Sequence, residues 1–380
     1  MRVLQVIPYF SRRMGGDVSV CSNLSINLRA SGHEVTICTS SHFDQDLARG
    51  MMDQGVEFVP HPTTASFSGL LFTPRMKGWI QSNLKNFDII HLQGYRSYQS
   101  NVVSKHARRI GAPLILQPHG TFPRIVERKV VKALYDVAWG NKIVSRSTRI
   151  IAVSEFEARQ LISLGIDAGR IEVIPNGVEV DRFAEIPQYG QFRTSHGLGQ
   201  GKILLYMGRV HASKGLDTLL DAFATVIGKG VDCRLVIAGS DGGYGTHLRR
   251  RATRLAIASQ IDFVGHIDRT AEAYADADVV VYPGPYEIFG LVPFEAMMCL
   301  APVIVSEGTG CGELVRSYGL GQTFPTGRSD LLATSIIRAL QHPDEAKREA
   351  AEGRSFVTSH LNWKRITTRF IDIYKSSMAI

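Results

Sequence analysis

The chain has 380 residues, too many for one compact core and natural for two domains. Hydrophobic residues make up 44% and charged residues 21%, the composition of a soluble globular protein, and no stretch reaches the roughly 18 apolar residues that span a bilayer. The net charge of +8 favours an anionic partner, whether nucleotide phosphate, membrane surface or nucleic acid, and does not choose among them.

Short apolar runs alternate with longer amphipathic ones, twice over. The N-terminus, MRVLQVIPYF, is too short for a signal h-region and reads as a first strand, Val3–Ile7. Further strands are read at Val35–Thr39, Val56–Val59, Ile89–Leu92, Leu114–Gln117, Ile150–Val153 and Ile171–Ile174, with helices at Val18–Ala30, Ser97–Ile110, Val126–Ser145 and Glu155–Leu164. The pattern pauses at Pro175–Asn176–Gly177 and again from Pro187 to Gly201, which reads as a linker. A second series follows: strands Ile203–Met207, Arg234–Ala238, Ile261–Val264, Val279–Tyr282 and Pro302–Val305, and helices Leu216–Val226, Thr246–Ala258, Leu291–Leu300 and Leu331–Leu340. A last amphipathic helix runs from Trp363 to Tyr374. This alternation predicts an α/β protein of two Rossmann-like, doubly wound domains: 1–185 with 361–380 crossing back, and 186–360. The five cysteines are odd in number, irregularly spaced and without a CxxC pair, which predicts a reduced, cytoplasmic protein rather than a disulfide framework or zinc site.

Ligands of open parallel sheets bind beyond the carboxyl ends of the strands, so a residue just after a strand is a site candidate and one just before is not. Glu287 follows Val279–Tyr282, and Glu295 falls early in the next helix. Ionised carboxylates accept both hydroxyls of a vicinal diol, as sugars and ribose offer, while the N–H groups of Phe289, Gly290 and Leu291 at the helix start suit phosphate. Gly208–Arg209–Val–His–Ala–Ser–Lys214–Gly215 follows Ile203–Met207 and sets two cations on one short loop; the competing reading is a solvated basic loop. Gly15–Gly16 lets a backbone approach a phosphate, with Asp17 able to cap the helix, although a Gly pair before a helix is commonly a plain turn. His119 follows Leu114–Gln117, Ile267 follows Ile261–Val264, and Asn176 sits in a turn; each also has an ordinary structural reading. Asp276–Ala277–Asp278 spells a metal-binding D-x-D but precedes its strand, and Asp44–Gln–Asp46 lies in a polar loop without partner ligands, so no metal is expected.

The run Glu287-x-Phe289-Gly290-Leu291, with Glu295 eight residues after Glu287, resembles the Glu-x7-Glu motif of retaining family-4 glycosyltransferases of the GT-B fold. The resemblance spans nearly the whole chain and is strongest from Tyr206 to Ala301. It implies two domains facing across a cleft and a nucleotide sugar, UDP- or GDP-linked, as co-substrate. The reaction would be metal-independent retaining transfer to the hydroxyl of a glycan or lipid-linked glycan, in cell-surface polysaccharide or glycoconjugate synthesis. By the same resemblance Glu287 and His119 attend the sugar, Arg209 and Lys214 the departing diphosphate, and Gly15, Gly16, Phe289, Gly290 and Leu291 the phosphates. Glu295 takes the ribose, Ile267 the nucleobase through its main chain, and Asn176 the hinge. Gly310–Cys311–Gly312 replaces the family's common proline before Glu313, and Pro285 fills a usually small polar site, which leaves donor identity open. Two rivals stand beside this reading: a sugar-nucleotide 2-epimerase of the same fold, and a non-catalytic nucleotide-sugar-binding peripheral membrane protein.

The run 124–149 carries Arg124, Arg128, Lys129, Lys132, Lys142, Arg146 and Arg149 against Glu127 and Asp136, with Val126, Val130, Leu134, Val137, Ile143 and Trp139 alongside. It suits an anionic membrane surface, on the cytoplasmic face; a sheet-packed helix with a solvated basic face competes. No nucleic-acid motif accompanies it or the arginines at 249–254, and no nucleic-acid partner is expected.

Overall fold

The computed structural model describes residues 1–12, 14–67, 69–123 and 129–379. The chain forms two units, Met1–Gly177 with Trp363–Ile380, and Val178–Asn362. These bounds differ from the sequence reading at 185/186 and 360/361. The stretch after Gly177 belongs with the second unit because Phe183 is buried there against Tyr274, at 6.5 Å between ring centroids, and Arg354 Nη2 donates to the Ala184 carbonyl at 3.0 Å.

The first unit holds β1 (Arg2–Val6), β2 (Glu34–Ser40), β3 (Glu57–His61), β4 (Ala65–Phe67), β5 (Leu70–Phe72), β6 (Ile89–Gln93), β7 (Leu114–Gln117), β8 (Arg149–Ala152) and β9 (Ile171–Val173). Seven of these form one parallel sheet in the order β3-β2-β1-β6-β7-β8-β9, while β4 and β5 make a separate antiparallel hairpin. Alternate residues of each strand face opposite layers. Val3, Ile37, Ile89, Ile115 and Ile151 enter one core; Leu4, Val6, Ile90, Leu116 and Ile150 enter the other. The helix Trp363–Met378 closes the first core with Trp363, Ile366, Phe370 and Tyr374, all buried on one helical face. A Cβ on Gly177 would stand 2.4 Å from the Trp363 ring, so this position admits no side chain without a shift.

The second unit holds β10 (Lys202–Met207), β11 (Cys233–Ala238), β12 (Ile261–Gly265), β13 (Val279–Tyr282), β14 (Val303–Ser306) and β15 (Gln322–Phe324), parallel in the order β12-β11-β10-β13-β14-β15. Both sheets reverse strand order once, between β1 and β6 and between β10 and β13. Those reversals are where ligands of doubly wound sheets bind.

Several elements depart from the sequence reading. The sequence reading puts helices in most intervals without assigning Gln45–Asp53, Pro74–Asn83, Gly310–Tyr318 or Pro343–His360 individually, and it does not contain the hairpin β4-β5. The linker 187–201 contains a helix, Gln191–His196, whose start is fixed by Asp276: Oδ1 accepts from Gly190 N at 2.5 Å and Oδ2 from Arg193 N at 2.8 Å. The helix expected over Leu291–Leu300 is Val292–Met298, with Pro293 in its first turn, and Leu300 beyond its end is left-handed at φ 58°. The expected helix Val126–Ser145 is observed as Lys129–Tyr135, a π-turn Asp136–Gly140, and Asn141–Arg146; residues 126–128, like Arg124, lie outside the described residues.

Candidate active site

In the second unit the loops after β10 and β13 meet. Lys214 ends a short 3-10 turn, Ala212–Lys214, after β10, and its Nζ lies 2.7 Å from Glu287 Oε2 in the loop after β13. Tyr282, the last residue of β13, donates its hydroxyl to the same oxygen at 2.8 Å. Burial pushes the Tyr282 hydroxyl well above its usual pKa, and the Glu287 charge adds to that, so it stays a donor. Both partners of the ion pair keep about a quarter of their side-chain surface, 24% and 22%, open to solvent.

Two glycines let these loops touch. Gly215 is left-handed at φ 70°, and a Cβ there would stand 2.1 Å from the Pro283 carbonyl oxygen. Gly290 is left-handed at φ 80° and wedged between Cys311 Sγ, the Tyr282 ring and the Glu287 side chain, each within 3.1 Å of where its Cβ would be. The Gly310–Cys311–Gly312 departure noted in the sequence therefore forms the floor under the Glu287 loop, and Gly310 N donates to the Glu287 carbonyl at 3.0 Å.

Arg209 is exposed on the loop after β10, whose backbone is tied down by Tyr206: its hydroxyl donates to the Arg209 carbonyl at 3.0 Å. Phe289 is buried against Phe294, with ring centroids 5.3 Å apart. Leu291 precedes the helix Val292–Met298, and its carbonyl accepts from Phe294 N and Glu295 N, both at 3.0 Å. Glu295 accepts from the Tyr274 hydroxyl at 3.1 Å; burial raises its carboxyl pKa, while Tyr274 and the nearby Arg182 pull it back. Ile267 is half-buried on the loop after β12.

The first unit gathers a different set at its own reversal point. His119, left-handed at φ 51°, donates Nε2–H to Gln93 Oε1 at 2.6 Å, and Gln93 ends β6. Gln93 Nε2 donates to Gln5 Oε1 at 2.8 Å, and behind it the Tyr374 hydroxyl donates to His91 Nδ1 at 2.7 Å. Burial lowers His119 to about 4, with Asp17 opposing, and His91 to about 3, so both imidazoles are neutral at pH 7. The turn is braced by Glu157, which accepts from Gly120 N at 2.6 Å and Val153 N at 2.8 Å, and whose carboxyl burial raises to about 7.

Gly15 and Gly16 lie after β1, where expected, but Asp17 does not cap the helix. The helix starts at Gly16 with Gly15 as its N-cap, and Asp17 sits in the first turn accepting from the Tyr9 hydroxyl at 2.9 Å. Asn176, at the end of the first unit, has a buried Oδ1 with no hydrogen-bond partner among the described residues.

Both aspartates of the D-x-D bind protein groups. Asp276 holds the helix Gln191–His196, and Asp278 Oδ2 accepts from Arg193 Nη2 at 3.0 Å and Ile203 N at 2.7 Å, at the amino ends of the strands. Among the described residues no cluster of three His, Cys, Asp or Glu side chains could hold a metal ion, and no helix is long and apolar enough to cross a membrane.

Sequence reasoning missed Tyr282, Gln93 and Glu157. Tyr282 and Gln93 were findable, since each is the last residue of its strand at a carboxyl end. A cavity of about 610 Å³ in the first unit, lined by Tyr95, Phe122, Asn141, Val144, Leu164 and Arg170 among others, holds none of the sequence-read site residues.

Two Rossmann-like units, each with polar side chains gathered where strand order reverses, define the GT-B class. The model described as Glycosyltransferase Family 4 matches residues 14–182, and that of Glycosyl transferases group 1 matches 190–356. The chain is 32% identical over 366 residues to D-inositol 3-phosphate glycosyltransferase 2 of Catenulispora acidiphila, covering 88% of this chain and 82% of that one. It is 29% identical to the phosphatidyl-myo-inositol mannosyltransferase of Mycobacterium leprae, covering 99% and 97%. It is 26% identical to a Mycobacterium tuberculosis GDP-mannose-dependent alpha-(1-6)-phosphatidylinositol dimannoside mannosyltransferase, covering 96% and 93%. HepE of Anabaena, solved with UDP, shares the fold at TM-score 0.82 and 18% identity, covering 99% of this chain and all of that one. The chain belongs to the family-4 glycosyltransferases and has their GT-B fold.

Proposed function

We propose that the protein is a retaining, metal-independent hexosyltransferase that uses a nucleoside diphosphate sugar and glycosylates a hydroxyl of a lipid-linked acceptor. The observation that carries this reading is the Lys214–Glu287 pair, 2.7 Å apart and only partly buried, spanning the two loops at the second unit's reversal point. A diphosphate would replace Glu287 as the partner of Lys214, with Arg209 beside it. Glu287, released, would accept sugar hydroxyls and stabilise positive charge developing at the ring. The two cations would supply the charge compensation that a divalent metal supplies elsewhere. The N–H groups of Gly290, Leu291 and Gly16 would take phosphate oxygens, Glu295 the ribose diol, the Ile267 main chain the base, and His119 a sugar hydroxyl. No side chain is assigned as a covalent nucleophile; attack comes from the face the leaving phosphate occupies.

The names of the relatives supply a first substrate pair. Two carry mannosyl transfer, one carries GDP-mannose, and all three carry an inositol phosphate or its lipid. GDP-mannose with phosphatidylinositol is therefore the pair to try first, with UDP-sugars and free inositol phosphate as comparators. The test is release of nucleoside diphosphate in the presence of EDTA, with the product anomer read by NMR. An inverted anomer, or loss of turnover on chelation, overturns retention or metal independence respectively. Donor consumed with no acceptor and no glycoside product supports a 2-epimerase instead.

A further inference from the structure

We propose that the first unit docks on anionic lipid bilayers through the outward face of the helical run 129–146. An amphipathic helix on a sheet buries its apolar stripe. This run buries Tyr135, Asp136, Gly140 and Ile143 and leaves a second apolar set outside. Val130 is 73% exposed, Leu134 67% and Val137 73%, at the i, i+4, i+7 spacing of one helical face; Val131 and Trp139 are exposed beside them. Water contact at so many neighbouring apolar side chains marks an interaction surface.

The charge around the patch selects the occupant. Lys129 and Lys142 are exposed, and the single acidic residue of the run, Asp136, is buried and held by Arg96 at 2.7 Å. Among the described residues of the run the face thus offers apolar side chains, an interfacial tryptophan and cations without an exposed carboxylate, which fits lipid headgroups and the acyl boundary beneath them. A second copy fits poorly: an isologous contact would set the same lysines against each other, and five side chains fall short of the roughly 20 residues a side of a stable interface. The inference goes beyond the catalytic reading and does not depend on it, since lipid binding needs neither donor nor acceptor.

The test is co-sedimentation of the full chain with vesicles of phosphatidylcholine alone and of phosphatidylcholine with phosphatidylglycerol. Binding about tenfold tighter to the anionic vesicles is expected, weakened about tenfold in the Val130→Ser/Leu134→Ser/Val137→Ser variant and in Lys129→Glu/Lys142→Glu. Of the three tryptophans, Trp139 is 45% exposed and Trp363 is buried, so vesicles should shift emission to the blue and Trp139→Phe should remove most of the shift. Both multiple variants should keep the circular dichroism of the parent. Equal partition of parent and variants, or a concentration-dependent dimer that the serine variant abolishes, overturns the proposal.

Discussion

The two units solve the same topological problem with opposite electrostatics. At its strand-order reversal the second unit sets a charged pair, Lys214 and Glu287, partly open to water. The first unit sets mainly neutral groups there, with the Asp17 carboxylate near them: a histidine lowered to about 4, a glutamine bridge, and a second histidine lowered to about 3. On the proposed function, loops that would meet a diphosphate need charge, and partial exposure to solvent lowers the cost of holding it. Side chains that on the same proposal would orient hydroxyls serve as fixed, neutral dipoles, and burial supplies that by holding imidazole uncharged.

The sharpest way to break this contrast is Lys214→Ala. Turnover should fall on the order of 10³-fold, about 4 kcal/mol in the barrier, while the unfolding midpoint moves little. Near-normal turnover in the variant would remove the second unit's charge from the reaction.

The first unit is tested through Glu157. Its carboxyl titrates at about 7 when folded against an ordinary value of 4.5. Between those values the native state keeps a proton the unfolded chain has released. This group's contribution to stability is therefore complete below pH 4.5 and is lost as pH rises through 7. The stability of the parent relative to Glu157→Gln should decline by up to about 3 kcal/mol across that window, by urea unfolding at several pH values. His119 runs the other way, its neutral native form costing stability as pH falls from 6.5 towards 4. A pH-independent difference between parent and Glu157→Gln would mean that Glu157 is not held protonated.

Two smaller effects separate packing from chemistry. Gly177→Ala must push the Trp363 ring aside and should cost about 2 kcal/mol of first-unit stability, seen as a lower urea midpoint. Asp278→Asn should cost about 1 kcal/mol and leave turnover within about twofold, because its carboxylate binds Arg193 and a backbone N–H at the amino ends of the strands. Loss of turnover there would reopen the metal reading of D-x-D.

The same contrast explains what could be read from sequence. Glu287 and Lys214 were legible as candidates because charged residues in the loops after apolar runs are conspicuous, and the carboxyl-end rule put them at the opposite end of the sheet from Asp276 and Asp278, which is where the structure has them. The neutral site was not legible as a site. Gln93 and Gln5 lie 88 residues apart and meet only through strand pairing, and a polar residue closing an apolar strand carries no label of its own. Short elements were lost for lack of period: β4, β5 and β15 have three residues each. The helix Gln191–His196 was hidden by its surroundings, since Pro187, Gly190, Gly197 and Gly199 all signal a loop, and what makes it a helix is a distant carboxylate, Asp276. Asp17 was misread because the helix begins one residue earlier, at Gly16, which puts Asp17 in the first turn, where its two oxygens take the Tyr9 hydroxyl and the Val18 N–H.

The contact of Gly177 with Trp363 has a consequence for how the protein is made. Residues 1–177 leave the ribosome first, yet the helix that seals their core emerges only after the whole of 178–362. Nascent chains therefore carry a complete second unit beside a partner whose Val3, Ile7 and Leu24 layer still lacks its cover. During that interval the early segment is the natural client for a chaperone, and ribosome-stalled chains lacking 363–378 should be the more readily cut by protease within 1–177.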